Sequence, residues 1–162
     1  MNFRRKIIPF DRLADWRERF RGTGLKLVVT NGCFDLLHLG HVTYLEHARG
    51  QGDQLMVGVT GDQAVSSLKG KGRPLNNEDD RAALLAALEC VDQVCIFAER
   101  SAARFLGVVQ PDVYVKGGDY TLETLNQEER KVVEAGGGKI VIIPLVKGKS
   151  TTGLLERISR LG

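Results

Sequence analysis

The sequence predicts a single-domain α/β protein with a Rossmann-like parallel sheet and helices on both faces. Three observations support this. Short apolar runs alternate with amphipathic helical patterns along the whole chain, which is typical of parallel strands joined by right-handed crossovers. The polar and glycine-rich segments mostly follow the predicted strands, so they should meet at one sheet edge. The 162 residues suffice for one substantial core.

The N-terminal leader, residues 1–24, is predicted to be helical and to pack against a body formed by residues 25–162. Its apolar side chains recur at helical spacing: Phe10, Leu13, Trp16 and Phe20. Such a stripe is most simply explained by core packing.

Five apolar runs in the body are predicted strands: residues 26–30, 54–59, 93–97, 113–116 and 139–144. Helical patterns follow them: residues 40–50, 62–68, 77–88, 101–109, 127–135 and 150–161. Asn77 and Ser101 are predicted helix N-caps, because their side-chain oxygens can accept from the first free amides.

Composition excludes some functional classes. Hydrophobic residues make up 43% of the chain, and no apolar run approaches the ~20 residues of a membrane helix. The net charge of +3 comes from scattered basic residues, which suit phosphorylated small molecules as well as nucleic acid. The three cysteines lack a CxxC spacing, so we expect reduced thiols and a cytoplasmic protein.

Residues 30–42, Thr-Asn-Gly-Cys-Phe-Asp-Leu-Leu-His-Leu-Gly-His-Val, follow the first predicted strand and open a helical pattern. His38 and His41 are three residues apart and would share one face of a helix. They could cap the helix, or ligate a metal with Asp35 as the nearest third ligand. His38 could also activate Cys33 as a nucleophile.

An anion site fits the same residues. Gly32 allows close backbone approach, and the amides of Cys33 and Phe34 could bind phosphate beside the positive end of the following helix. Neither GxxxxGK[ST] nor GxGxxG is present, so a Walker or an ordinary dinucleotide site is disfavoured. Residues 69–74, Lys-Gly-Lys-Gly-Arg-Pro, form a basic loop that could fold over phosphate or be a plain solvated turn.

These residues resemble the cytidylyltransferase-like branch of the HxGH nucleotidyltransferase superfamily. The resemblance rests on Asn-Gly-Cys-Phe-Asp-Leu-Leu-His-Leu-Gly-His, on Val-Lys-Gly-Gly-Asp-Tyr at 115–120, and on Gly-Lys-Ser-Thr-Thr at 148–152. It covers nearly the whole chain after Leu25. In this combination the motifs are most similar to those of members that adenylate D-glycero-β-D-manno-heptose 1-phosphate.

The resemblance implies a nucleotidyltransferase fold and transfer of AMP from ATP to that sugar 1-phosphate, giving ADP-heptose for lipopolysaccharide synthesis. Mg²⁺ would be carried by the triphosphate and not by protein side chains. The expected partners are ATP, the sugar 1-phosphate and a second copy in a homodimer, without nucleic acid or membrane. A cytidylyltransferase for glycerol 3-phosphate and a non-catalytic nucleotide-sensing module are the alternatives.

The resemblance also implies roles for individual residues. His38, His41 and Lys71 would be catalytic. The nucleotide would be bound by Asn31, Gly32, Cys33, Phe34, His38, His41, Asp62, Gly117, Asp119, Ser150, Thr151 and Thr152. The acceptor would be bound by Asp35, Lys69, Arg81 and Lys116.

Two positions depart from the family's pattern. Leu145 stands where many members have an arginine ahead of the terminal motif, and we expect Lys147 and Lys149 to supply the positive charge instead. Gly118 stands where those enzymes often carry an acidic residue, which fits a different base or acceptor.

Overall fold

The computed structural model describes residues 2–118, 120–144, 146 and 148–161. Its strands form one sheet: β1 (Leu27–Gly32), β2 (Gln54–Thr60), β3 (Gln93–Phe97), β4 (Val113–Gly117) and β5 (Lys139–Ile143). Neighbouring strands are parallel throughout, in the order β3-β2-β1-β4-β5. The predicted α/β fold with a parallel sheet is confirmed.

The α-helices of the described chain are α1 (Leu13–Arg21), α2 (Leu39–Arg49), α3 (Asp62–Lys69), α4 (Glu78–Ala86), α5 (Ala103–Val109), α6 (Gln127–Ala135) and α7 (Thr151–Ser159). Two short 3₁₀ helices, Phe3–Lys6 and Phe10–Arg12, precede α1. The elements of the body end within two residues of the predicted bounds. None of the described helices is both long and apolar enough to cross a membrane.

Helices cover both faces of the sheet because successive strand residues point to opposite sides. Val28 of β1 packs in the cluster that contains residues of α2 and α4. Its neighbours Leu27 and Val29 pack in a second cluster with residues of α1, α5 and α6. The sheet is therefore the middle layer between two hydrophobic cores.

One of the two predicted helix caps forms. The side chain of Asn77 accepts from the amide of Asp80 at 2.8 Å, as predicted for an N-cap. The prediction for Ser101 was wrong, because α5 starts at Ala103 with Ala102 as its N-cap. Ser101 Oγ still accepts from the Ala103 amide at 3.2 Å.

The leader lies against the body through apolar and polar contacts. Leu13 and Phe20 are buried in the second core cluster. Lys6 Nζ donates to the carbonyls of Leu88 and Val91, and Arg17 donates to the carbonyl of Gln110. These bonds tie the leader to segments more than 80 residues away in sequence.

The strand order places a crevice at the carboxyl ends of β1 and β4. From β1 the chain adds β2 and β3 on one side, and then returns to add β4 and β5 on the other. The loops that follow β1 and β4 therefore leave the sheet in opposite directions, which is the usual ligand-binding position in open α/β sheets.

Candidate active site

The loop after β1 is held in a defined shape at the edge of the sheet. Phe34 has a positive φ of 49°, which is uncommon for a residue with a side chain. A Cβ at Gly32 would lie 3.0 Å from the Phe34 ring, so glycine lets the ring fold back over the strand end. The carbonyl of Cys33 accepts from the buried guanidinium of Arg81 at 2.6 Å.

His38 and His41 come together, but not by the predicted geometry. His38 precedes α2 as its N-cap, with extended backbone (φ −144°, ψ 169°), and only His41 lies on the helix. Their rings stack with centroids 3.9 Å apart. A Cβ at Gly40 would lie 2.9 Å from Nδ1 of His38, so a glycine between the histidines permits this stacking.

The two histidines form one wall of a pocket of about 240 Å³, called the histidine pocket below. Its lining is His38, Gly40, His41, Lys69, Val146, Lys149, Ser150, Thr151 and Thr152. The end of the chain thus meets the start of α2, as the sequence predicted for the histidines and the Ser-Thr-Thr segment.

Ser150 caps α7 by accepting from the amide of Gly153 at 3.0 Å. The helix therefore begins at the pocket, where its positive end favours an anion. Lys69 and Lys149 add two positive charges, and no carboxylate is found among the described lining residues. The charges and the helix terminus of this pocket favour an anion.

Both imidazoles are neutral at neutral pH in the free protein. Burial, with the nearby His38 and Lys69, lowers the pKa of His41 from 6.5 to about 4. Burial and Lys149 also lower the pKa of His38. Nδ1 of each ring is buried without a hydrogen-bond partner among the described residues. A hydrogen bond with the backbone of Leu36 opposes part of the fall in the pKa of His41.

A second pocket of about 280 Å³, called the strand-end pocket below, opens above β1 and β4. Its lining is Asn31, Gly32, Cys33, Phe34, His41, Tyr44, Lys69, Lys116, Gly117 and Tyr120. His41 and Lys69 belong to both linings, so they stand between the two pockets. The wall that the two pockets share carries the positive charge of Lys69.

Arg81 and Asp35, which were predicted to bind the acceptor, are both buried in the structure. The Arg81 side chain is fully buried and donates to the carbonyls of Cys33 and Asn76 and to Asp62. The Asp35 carboxylate is also buried and accepts from Arg73 and from the backbone amides of Leu75 and Asn76. The polar atoms of both side chains are enclosed and bonded within the protein, and both side chains hold loops in place.

Other predicted residues lie elsewhere. Asp62 bonds Arg81 and lines a separate depression of about 430 Å³ together with Glu78 and Asp79. Those carboxylates disfavour phosphate there. Lys71 is exposed on the basic loop and lines neither the histidine pocket nor the strand-end pocket.

The predictions for Asp119 and for Leu145 and Lys147 fall outside the described residues. Within the described ranges, no group of three or more His, Cys, Asp or Glu side chains is placed to hold a metal ion.

Tyr114 and Glu129 were missed by the sequence analysis. Both are buried and connected to Asn31 in the strand-end pocket. Glu129 lies in a charged helical segment, Gln-Glu-Glu-Arg-Lys, which has the composition of a solvated face. No signal in that segment indicates that one of its carboxylates is buried.

Comparisons with known proteins agree with this geometry. The sequence matches the cytidylyltransferase-like family over residues 29–152. It is 49% identical over 158 residues to the bifunctional protein HldE of Pseudomonas paraeruginosa, covering 98% of this chain and 33% of that protein. The HldE protein of Azotobacter vinelandii is 47% identical, with 96% and 32% covered. The chain thus spans about a third of the length of these curated relatives.

Solved structures show the same fold. A lipopolysaccharide core biosynthesis protein from Thermoplasma volcanium superposes with a TM-score of 0.62 and 28% identity, covering 78% of this chain and 100% of that one. A pantoate-beta-alanine ligase from Francisella tularensis superposes with a TM-score of 0.57 over 94% of this chain and 76% of that one. Its identity of 12% shows a shared fold alone.

The low pKa of His41 predicts a loss of stability in acid. Below about pH 6.5 the His41 imidazole is protonated in the unfolded chain, whereas in the folded protein it stays neutral down to about pH 4. The free energy of unfolding therefore falls as the pH is lowered across that window. The expected size is about 1–3 kcal/mol for this residue. Urea unfolding of the wild type and His41→Gln at pH 7 and pH 4.5 measures it. His41→Gln should lose less free energy of unfolding than the wild type between pH 7 and pH 4.5. An equal loss in the two proteins would contradict the lowered pKa of His41.

Proposed function

The chain belongs to the cytidylyltransferase-like family, and we propose that it is an adenylyltransferase that joins AMP from ATP to D-glycero-β-D-manno-heptose 1-phosphate. The products are ADP-heptose, used in lipopolysaccharide core synthesis, and pyrophosphate. The observation that carries this proposal is the pair of adjacent pockets that share His41 and Lys69. Residues 25–162 form the catalytic domain in this proposal.

The two pockets suit the two ends of an in-line displacement. The histidine pocket, with its lysines, hydroxyls and helix terminus, binds the β- and γ-phosphates of ATP. We assign the strand-end pocket to the sugar 1-phosphate, in place of the nucleotide contacts that the resemblance implied for its residues Asn31, Gly32, Cys33, Phe34 and Gly117. His41 and Lys69 contact the α-phosphate between the two pockets. Attacking and leaving oxygens then lie on opposite sides of the α-phosphorus, as in-line transfer requires.

The transfer needs no protein nucleophile. An oxygen of the sugar phosphate attacks the α-phosphorus, and the bond from that phosphorus to the pyrophosphate oxygen breaks. The protein contributes positioning and charge stabilisation, which are the main catalytic terms in such transfers. Cys33 lies in the strand-end pocket and is not required in this scheme.

The neutral histidines fit this role. An anion placed beside Nε2 favours the protonated imidazole and raises its pKa, so triphosphate binding and protonation of His41 strengthen each other. The stacked rings disfavour two simultaneous positive charges, since His38 already lowers the pKa of His41. We infer that one proton is held by the pair when the triphosphate is bound.

Mg²⁺ enters this scheme as a companion of ATP. The described lining of the histidine pocket contains no carboxylate. We therefore expect the ion to be held mainly by phosphate oxygens and water, where it would neutralise part of the triphosphate charge.

Two further features of the proposal concern the setting of the enzyme. ATP and sugar phosphates are cytoplasmic metabolites, so we place the reaction in the cytoplasm.

We also propose a homodimer, because Leu39 and Ile158 expose apolar side chains on α2 and α7. Light scattering in solution should give about twice the chain mass of 17.8 kDa, and a mass equal to one chain would contradict the dimer.

Substrate assignment is tested by a matrix of nucleotides and acceptors. ATP and CTP are each combined with heptose 1-phosphate and with glycerol 3-phosphate, and pyrophosphate release is measured. ATP with heptose 1-phosphate should give the highest kcat/KM. A preference for CTP would overturn the adenylyl assignment, and nucleotide binding without pyrophosphate from any pair would indicate a nucleotide-sensing module.

The shared wall predicts unequal roles for two neighbouring lysines. Both side chains are exposed, but Lys69 lines both pockets and Lys71 lines neither. Lys69→Ala should reduce kcat by about 10²-fold, the scale of losing one preorganised charge at the transferred group. Lys71→Ala, the matched change two residues away, should have the smaller effect. The reverse order would show that the loop tip, as the sequence suggested, provides the catalytic cation.

A further inference from the structure

Within the described part of the chain, only the oxygen of the Asn31 side-chain amide is hydrogen-bonded. Its Oδ1 accepts from the Tyr114 hydroxyl at 2.6 Å and from Lys116 Nζ at 3.3 Å. Its Nδ2 makes no hydrogen bond within the described part of the chain, and Asn31 lines the strand-end pocket. With Oδ1 turned inward, Nδ2 is the donor that Asn31 can offer to a ligand.

Behind Asn31 lies a buried carboxylate that the proposed reaction does not use. Glu129 of α6 is 6% exposed and lines neither the histidine pocket nor the strand-end pocket. It accepts from the Ala102 amide at 2.9 Å and lies 2.8 Å from the Tyr114 hydroxyl and 3.6 Å from Lys116 Nζ. A buried charge is costly unless it is paired in this way.

The side chains of Asn31, Tyr114, Glu129 and Lys116 depend on one another for their hydrogen bonds. The Tyr114 hydroxyl has one proton but faces two oxygens that can only accept, on Asn31 and Glu129. Burial and the charge of Glu129 raise the pKa of Tyr114, so the hydroxyl keeps that proton. The ammonium of Lys116 reaches both oxygens and compensates the crowded acceptors.

We propose that Glu129 is a positioning residue, which acts through Tyr114 and Lys116 to fix Asn31 with its Nδ2 directed at the phosphate of the sugar 1-phosphate. This rests on the proposed function, since it assigns the strand-end pocket to the acceptor. Asn31 and Lys116 then form a pair of donors for the acceptor phosphate, next to the wall formed by His41 and Lys69.

The experiment measures substrate binding and turnover for Glu129→Gln and Tyr114→Phe. Calorimetry with α,β-methylene ATP gives the Kd of the nucleotide, and heptose 1-phosphate is then titrated into that complex. We expect the Kd and KM for heptose 1-phosphate to rise about 10-fold in both variants, the scale of one lost hydrogen bond to a charged group. The nucleotide Kd and kcat should change less than about 3-fold, because the lost contact holds the acceptor equally before and during transfer.

Glu128→Gln is the matched control, because Glu128 is the exposed neighbour on the same helix and the charge change is identical. It should leave all four constants unchanged. A purely structural role for Glu129 would lower the melting temperature and kcat while the acceptor Kd stays at the wild-type value.

If Glu129→Gln fails to fold, Tyr114→Phe still tests the positioning role of Glu129, since it removes only the hydroxyl that connects Glu129 to Asn31. A folded Tyr114→Phe with wild-type acceptor Kd would overturn this inference. So would a rise in the nucleotide Kd in place of the acceptor Kd. A wild-type protein that binds both ligands without releasing pyrophosphate would instead overturn the proposed function, and the binding constants would still test the role of Glu129.

Discussion

The guanidinium of Arg81 is buried and donates to three segments that meet at the carboxyl edge of the sheet. It holds the carbonyl of Cys33 after β1, the carbonyl of Asn76 in the loop before α4, and the carboxylate of Asp62 at the start of α3. The Asp62 side chain is 40% exposed, so the enclosed part of the contact is the pair of hydrogen bonds to the two carbonyls. A buried group left without its hydrogen-bond partner commonly costs about 1–3 kcal/mol. The shape of the loop after β1, and through it both pockets, depends on this contact.

The site is assembled from distant parts of the chain around that fixed loop. The histidine pair comes from the start of α2, Lys69 from the end of α3, and the hydroxyls from the start of α7. Asp35 anchors the basic loop by accepting from Arg73 and the following amides, so only the part of the loop near Gly70 to Gly72 projects freely. Rigid anchoring of this kind reduces the entropy lost when phosphate binds.

Much of this arrangement could be predicted from the sequence. The alternation of apolar runs fixes the strands and helices, and a parallel sheet must bring the loops after its strands to one edge. The meeting of His38 and His41 with Ser150 follows from that topology. Burial of Arg81 and Asp35 could not be predicted, because it depends on backbone carbonyls and amides of segments about 40 residues away or more. The burial of Glu129 could not be predicted for the same reason, because the composition of its helix is typical of a solvated surface.

In the proposed reaction, the sugar phosphate in the strand-end pocket displaces pyrophosphate directly from the α-phosphorus of ATP, beside His41 and Lys69. Stereochemistry at the α-phosphorus tests this most directly. ATP carrying a sulfur at that phosphorus, in one defined configuration, is converted with heptose 1-phosphate, and the configuration of the product is determined by phosphorus NMR. A single in-line displacement predicts inversion. Retention would show two displacements through a covalent enzyme intermediate, and would contradict direct transfer between the two pockets.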